Sequence, residues 1–98
     1  MEVLERELEA KLVHAVRSRG GLCLKWVSPG ASGVPDRIVL LPGGRIAFAE
    51  LKRPRGGRVS ALQRFWARVL TRLGFVCRLV RTEEDIAGLL DALSGEQA

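Results

Sequence analysis

Gly33-Val34-Pro35-Asp36-Arg37, the apolar run 38–41, Pro42-Gly43-Gly44, and a second apolar run ending in Glu50-Leu51-Lys52 decide how this chain folds. Two strand-length segments flanking a Pro-Gly-Gly turn signal read as a β-hairpin. Side chains alternate along a strand, so Ile46, Phe48, Glu50 and Lys52 share one face, and Asp36, Ile38 and Leu40 share one face of the partner. Turn length decides whether these faces coincide. A two-residue turn at Gly43-Gly44 sets Asp36 opposite Leu51 and points it away from Glu50. A three-residue loop, Pro42 to Gly44, instead pairs Leu40 with Ile46, Ile38 with Phe48 and Asp36 with Glu50. Directly opposed side chains have Cβ atoms about 4.5–5.5 Å apart, and two carboxylates that close repel unless a cation lies between them. Mg²⁺ takes oxygen ligands at about 2.0–2.1 Å and leaves its other positions to water and phosphate. The sequence therefore predicts an odd-numbered loop and a divalent ion.

Outward from the hairpin, the pattern is that of one small α/β unit over residues 1–98. Residues 2–19 form a helix with Leu4, Leu8, Leu12, Ala15 and Val16 on one stripe and a Gly20-Gly21 stop. The acids Glu2, Glu5, Glu7 and Glu9 suit the helix dipole, and Glu7 stands four residues before Lys11 in a favourable pairing. Residues 22–27 alternate as a strand, and a Pro/Gly/Ser loop leads to Pro35, which donates no backbone hydrogen bond and suits the first position of a strand. Strands at 36–41 and 45–52 make the hairpin. A helix at 60–73 follows, with Leu62, Phe65, Trp66, Val69, Leu70 and Leu73 as a continuous apolar stripe laid on the sheet. Gln63, three residues after Ser60, fits a capping box and also stands close enough to the motif strand to reach it. A strand at 75–80, then a helix capped by Thr82-Glu83-Glu84-Asp85, close the chain, and residues 94–98 are expected to fray. The order αβββαβα gives a mixed sheet flanked by helices.

Ninety-eight residues bury only a modest core, which suits a two-layer unit or an oligomer. No segment approaches the ~18 uninterrupted apolar residues of a membrane span, and the acidic start at Met1-Glu2 is unlike a signal peptide, so a cytoplasmic location is expected. Cys23 and Cys77 are isolated in apolar stretches, as reduced core cysteines are. The lone His14 has no partner motif. Charge distribution says more than the net +5: fifteen of the sixteen Lys and Arg lie from Lys11 to Arg81, while the span 10–82 holds only two acids, Asp36 and Glu50. Such a surface attracts phosphate backbones. Arg53, Arg55 and Arg58 sit among Pro54, Gly56 and Gly57 in a loop that reads equally as a solvated connector or as a phosphate contact.

Phosphodiester hydrolysis needs a water made nucleophilic at neutral pH and positive charge facing the phosphoryl oxygens, and divalent ions supply both. Asp36, Glu50 and the Leu51 carbonyl could hold such an ion, with Lys52 returning to the Glu50 face to orient the water or neutralise charge. The bare spacing is compatible as well with a cross-strand ion pair of Glu50 to Arg37 or Lys52.

Gly33-Val34-Pro35-Asp36-Arg37, Glu50-Leu51-Lys52 and Gln63 together resemble the PD-(D/E)xK nuclease superfamily, and specifically the VRR-NUC (virus-type replication-repair nuclease) family in its stand-alone phage and bacterial form. The likeness continues through Gly20-Gly21, Lys25, Ser28-Pro29-Gly30, Pro42-Gly43-Gly44, Leu62-Gln63 and Gly74. It implies a restriction-endonuclease-like fold, Mg²⁺-dependent endonuclease activity in which Mn²⁺ can substitute, cutting of branched DNA such as Holliday junctions, a role in DNA repair, and a homodimer. It assigns catalysis to Asp36, Glu50, Lys52 and Gln63, and makes Glu9 the first-helix acid that completes the metal site, with Glu5 one turn earlier as the alternative. Lys25, Arg37, Arg53, Arg55 and Arg58 are the expected DNA contacts. The loop around Arg55 is longer and richer in arginine than the motif requires. A basic DNA-binding subunit without catalysis, and a nuclease acting on RNA, are the competing readings.

Overall fold

A computed structural model of the chain describes residues 4–94. Its elements are α1 (Glu5–Ser18), β1 (Leu22–Lys25), β2 (Arg37–Leu41), β3 (Arg45–Leu51), α2 (Ala61–Arg72), β4 (Val76–Val80) and α3 (Glu83–Ser94), in the αβββαβα order. The expected helix start at residues 2 and 3, and the fraying of 95–98, lie outside the described residues; Ser94 still belongs to α3. Glu7 folds back so that its carboxylate accepts the Leu4 N–H at 3.0 Å, satisfying an amide that the helix itself cannot. The expected Glu7–Lys11 pair therefore does not form, and the Lys11 ammonium pairs with Glu83 at the start of α3. At the other end of the chain, Thr82 and Asp85 cap α3 reciprocally: the Asp85 N–H donates to Thr82 Oγ1, and Asp85 Oδ2 accepts from the Thr82 N–H.

The four strands lie in the order β1-β2-β3-β4. β1, β2 and β3 form an antiparallel meander, and α2 carries the chain over to β4, which runs parallel to β3. Leu41 pairs with Arg45, leaving Pro42, Gly43 and Gly44 as a three-residue loop, with Gly43 and Gly44 at φ 91° and 74°. Only glycine adopts two successive conformations of that kind cheaply, so the loop length is written into these residues. The register is the one that makes Ile38 face Phe48 and Leu40 face Ile46.

One sheet face is closed by α1 and α3. Leu8, Leu12 and Val16 from α1 and Ile86, Leu89 and Leu90 from α3 bury against Cys23, Val39, Leu41, Ala47, Ala49, Leu51 and Val80. The opposite face is covered unevenly. α2 rests on β4, and Trp66 Nε1 ties it to the loop before β2 by donating to the Ser32 carbonyl at 2.9 Å. Of the apolar stripe expected on α2 only Leu70 is fully buried, while Leu62, Phe65 and Leu73 stay exposed. Leu22, Leu24 and Ile46, on the same side of the meander, are exposed too. Among the described residues no helix is long and apolar enough to cross a membrane.

Candidate active site

Continuing the β2–β3 register by one residue sets Asp36 across from Glu50, on the face that α2 partly covers. Three local constraints fix Asp36. Pro35 delays the strand by one residue, the Trp26 N–H donates to the Asp36 carbonyl at 3.0 Å, and Asp36 Oδ2 accepts the Leu51 N–H at 2.8 Å. Gly33 holds the approach to this segment at φ 86°, pressed so close to α2 that an added Cβ would lie 2.8 Å from Leu62 Cγ. The Asp36 carboxylate thus bridges its own strand to the next and keeps one oxygen for other partners.

Glu50 is the buried charge of the site, at 8% exposure. Its Oε2 accepts from Gln63 Nε2 at 2.5 Å and lies 3.4 Å from Lys52 Nζ. Gln63 serves both of the roles its position suggested: its Oε1 accepts the Ser60 N–H and its own N–H donates to Ser60 Oγ, closing the capping box, while its amide nitrogen holds Glu50. Glu50 Oε1 is buried with no hydrogen-bond partner among the described residues. Burial, and after it the Asp36 carboxylate, raise the Glu50 pKa from 4.5 to about 7 against the opposing pull of the Lys52 ammonium. An unpartnered carboxylate oxygen beside a second carboxylate is a cost that a cation removes, so the donor set suits a divalent ion. The described residues hold no group of three or more His, Cys, Asp or Glu side chains around a common point. Any ion here would take two carboxylates from the chain, with oxygens of the backbone, water or phosphate filling the remaining positions, as magnesium coordination allows.

Other residues singled out from the sequence fall elsewhere. Glu9 is not brought to Asp36 and Glu50: its Oε2 accepts from Arg37 Nε at 2.7 Å, and Arg37 Nη1 also donates to the Cys23 carbonyl at 3.1 Å. Arg37, expected on DNA, is committed to this half-buried ion pair, because strand alternation turns it to the α1 side of the sheet while Asp36 faces α2. Glu5 is exposed at the first turn of α1. Lys25, Arg53, Arg55 and Arg58 are exposed, as the expected contacts with a polyanion require. Both cysteines are free thiols whose pKa values burial raises, which disfavours the thiolate form. Missed from the sequence was a cavity of about 780 Å³ that opens between α2 and β4 against Glu50 and Gln63, rimmed by Arg58, Arg64, Arg78 and Arg81. Arg64 reads on a helical wheel as part of a solvent-facing row, and nothing local joins it to Arg78 or Arg81.

No family model matches the chain. It is 39% identical over 92 residues to "Putative nuclease p44" of Acyrthosiphon pisum secondary endosymbiont phage 1, covering 94% of this chain and 97% of that protein. Its fold superposes on a solved structure of a VRR_NUC domain with a TM-score of 0.81 and 25% sequence identity, covering 89% of this chain and 94% of the other. With a nuclease-named relative spanning almost all of both chains, and with this strand order and motif placement, the chain belongs to the VRR-NUC family of nucleases.

Proposed function

We propose that the chain is a Mg²⁺-dependent endonuclease, with Mn²⁺ able to substitute, that hydrolyses phosphodiester bonds in branched DNA such as four-way junctions, as a homodimer. The observation that carries this reading is the unpartnered, buried Glu50 Oε1 beside the Asp36 carboxylate on one sheet face. Asp36 and Glu50 would hold the ion, with the Leu51 carbonyl as a third ligand. When bound, a divalent ion lowers the pKa of water and offsets charge on the phosphoryl oxygens. Gln63 fixes the Glu50 carboxylate by its 2.5 Å hydrogen bond, so the ligand is held in place before any ion arrives. Lys52, only partly exposed and 3.4 Å from Glu50 Oε2, presents an ammonium on the same face, where it orients the attacking water and offsets the charge growing on the phosphoryl oxygens. Glu9, held by Arg37 on the α1 side of the sheet, stays outside this ligand set. Cleavage leaves a 3′-hydroxyl and a 5′-phosphate. Exposed Lys25, Arg53, Arg55 and Arg58 take the flanking phosphates, with affinity that falls as salt rises.

Support for the homodimer comes from the open apolar surface. Leu22, Leu24 and Ile46 on the sheet and Phe65, Leu73 and Phe75 beside them are exposed, on the face that also bears the carboxylates. A symmetric pair would present two sites to a two-fold junction. Free thiols suit a reducing compartment such as the cytoplasm.

The test is a cleavage panel of four-way junction, flap, duplex and single-stranded DNA, with RNA counterparts, in Mg²⁺, Mn²⁺ or EDTA. Wild type should cut branched DNA only with a divalent ion. Asp36→Ala and Lys52→Ala should lose cutting by a factor of at least about 10² while still binding junctions. Unaltered cutting by either variant would sink the assignment, and equal cutting of every substrate would sink the preference for branches.

A further inference from the structure

The cavity beside Glu50 has a composition that the metal site does not account for. Glu50 and Gln63 form its inner wall, so whatever fills it abuts the carboxylate. Arg58 and Arg64 reach it from the α2 side and Arg81 from the end of β4; Arg78 lines it from β4, where alternation roots its side chain on the Ala49 side of this edge strand and its Nη1 donates to the Cys77 carbonyl at 3.4 Å. The ion pairs among the described residues are Lys11–Glu83, Arg19–Asp91, Arg37–Glu9 and Lys52–Glu50, and none involves these four arginines. Arg64 donates to the Val59 carbonyl and Arg81 to the Arg53 carbonyl, which anchors each guanidinium and leaves further donors free. Between the arginines the wall is apolar, with Val59, Ala67 and Leu79.

We propose that this cavity is the subsite for a single-stranded stretch of DNA adjoining the cut, with Arg58, Arg64, Arg78 and Arg81 on its phosphates and the apolar wall against a sugar or an unstacked base. The inference rests on the nuclease reading and adds to it where the unpaired strand lies. Size argues for a single strand: a volume of about 780 Å³ is on the scale that takes in a small ligand and cannot take in a duplex. Guanidinium forks match phosphate oxygens two at a time and can also lie flat on a base. Among the described residues no aromatic ring lines the cavity, so the grip is chiefly on the backbone and independent of sequence. A continuous duplex cannot supply such a strand, whereas a branch or flap can.

The test is fluorescence anisotropy of a labelled 12-nucleotide oligothymidylate in EDTA, measured against salt. Arg64→Ala/Arg78→Ala should weaken binding at least tenfold and reduce the slope of log K against log salt by about 1.4, at roughly 0.7 per phosphate contact. Arg68→Ala/Arg72→Ala removes the same charge from exposed positions of α2 that do not line the cavity and should change affinity less than threefold. Ala67→Trp fills the cavity without altering charge and should also weaken binding at least tenfold, with circular dichroism reporting its fold. Equal losses in the inner and outer arginine pairs, unchanged binding in the inner pair, or undiminished binding by a folded Ala67→Trp protein would each overturn the subsite. The nuclease reading fails separately: wild type that binds oligothymidylate through these arginines yet cuts nothing in Mg²⁺ or Mn²⁺ keeps the subsite and loses the activity.

Discussion

Replacing Glu50 with Gln should stabilise the ion-free protein at pH 8 while abolishing its proposed chemistry. In the unfolded chain Glu50 ionises near 4.5, and in the folded chain burial and Asp36 raise that to about 7. Between these values the folded state binds the extra proton, so the stability present below pH 4.5 is lost as pH rises through 7. A displacement of about 2.5 units corresponds to on the order of 3 kcal/mol, at 1.36 kcal/mol per unit. Gln does not titrate, keeps an oxygen for Gln63 Nε2, and offers Asp36 an amide donor instead of a like charge. The advantage of Glu50→Gln should therefore open between pH 4.5 and 7 and level off at up to ~3 kcal/mol, a rise in Tm on the order of 10 °C for a domain of this size. Urea or thermal denaturation in EDTA across pH 4.5 to 8 measures it. A difference between the two proteins that stays flat with pH, or a variant less stable than wild type at pH 8, would refute the reasoning. Adding Mg²⁺ should then stabilise wild type and leave the variant unmoved.

The same neighbourhood yields three further expectations. Lys52→Met removes the charge that pulls the Glu50 pKa down, so the pH midpoint for Mn²⁺ binding, followed by titration calorimetry, should move upward; a midpoint that falls would contradict the ion-pair geometry. Arg37→Met strands the half-buried Glu9 carboxylate and the Cys23 carbonyl, and should cost on the order of 2 kcal/mol in urea unfolding. Gly33→Ala combines an unfavourable left-handed backbone with a 2.8 Å approach to Leu62, and should cost about 1–3 kcal/mol. Adding Leu62→Ala to Gly33→Ala should recover only the steric part of that loss.

Where the sequence was legible, the interactions that decide the outcome are close along the chain. Pro42-Gly43-Gly44 dictates a three-residue loop, the loop dictates the register, and the register puts Asp36 and Glu50 on one face. Ser60 and Gln63, and Thr82 and Asp85, announce the starts of α2 and α3 because a capping box needs only four residues. Helix and strand boundaries fell within a few residues of the periodicity: the strand expected over 22–27 ends at Lys25, though the Trp26 N–H still bonds Asp36. The acids left in the basic midsection are the two that converge.

Assembly decided the rest. Whether Glu7 or Glu83 pairs with Lys11 depends on α3 docking beside α1, which no local pattern encodes. Arg37 looks like one more basic residue in the motif until β2 is sandwiched against α1, where Glu9 and the Cys23 carbonyl claim it. The α2 stripe is continuous in sequence, yet a helix seated on β4 covers only part of a four-stranded face, so half of the stripe remains open. Arg64 and Arg78 stand fourteen positions apart on different elements and meet at one cavity only because the crossover brings β4 alongside β3. Short-range geometry thus placed the two carboxylates, while the surroundings that raise the Glu50 pKa and gather the arginines required the chain to close on itself.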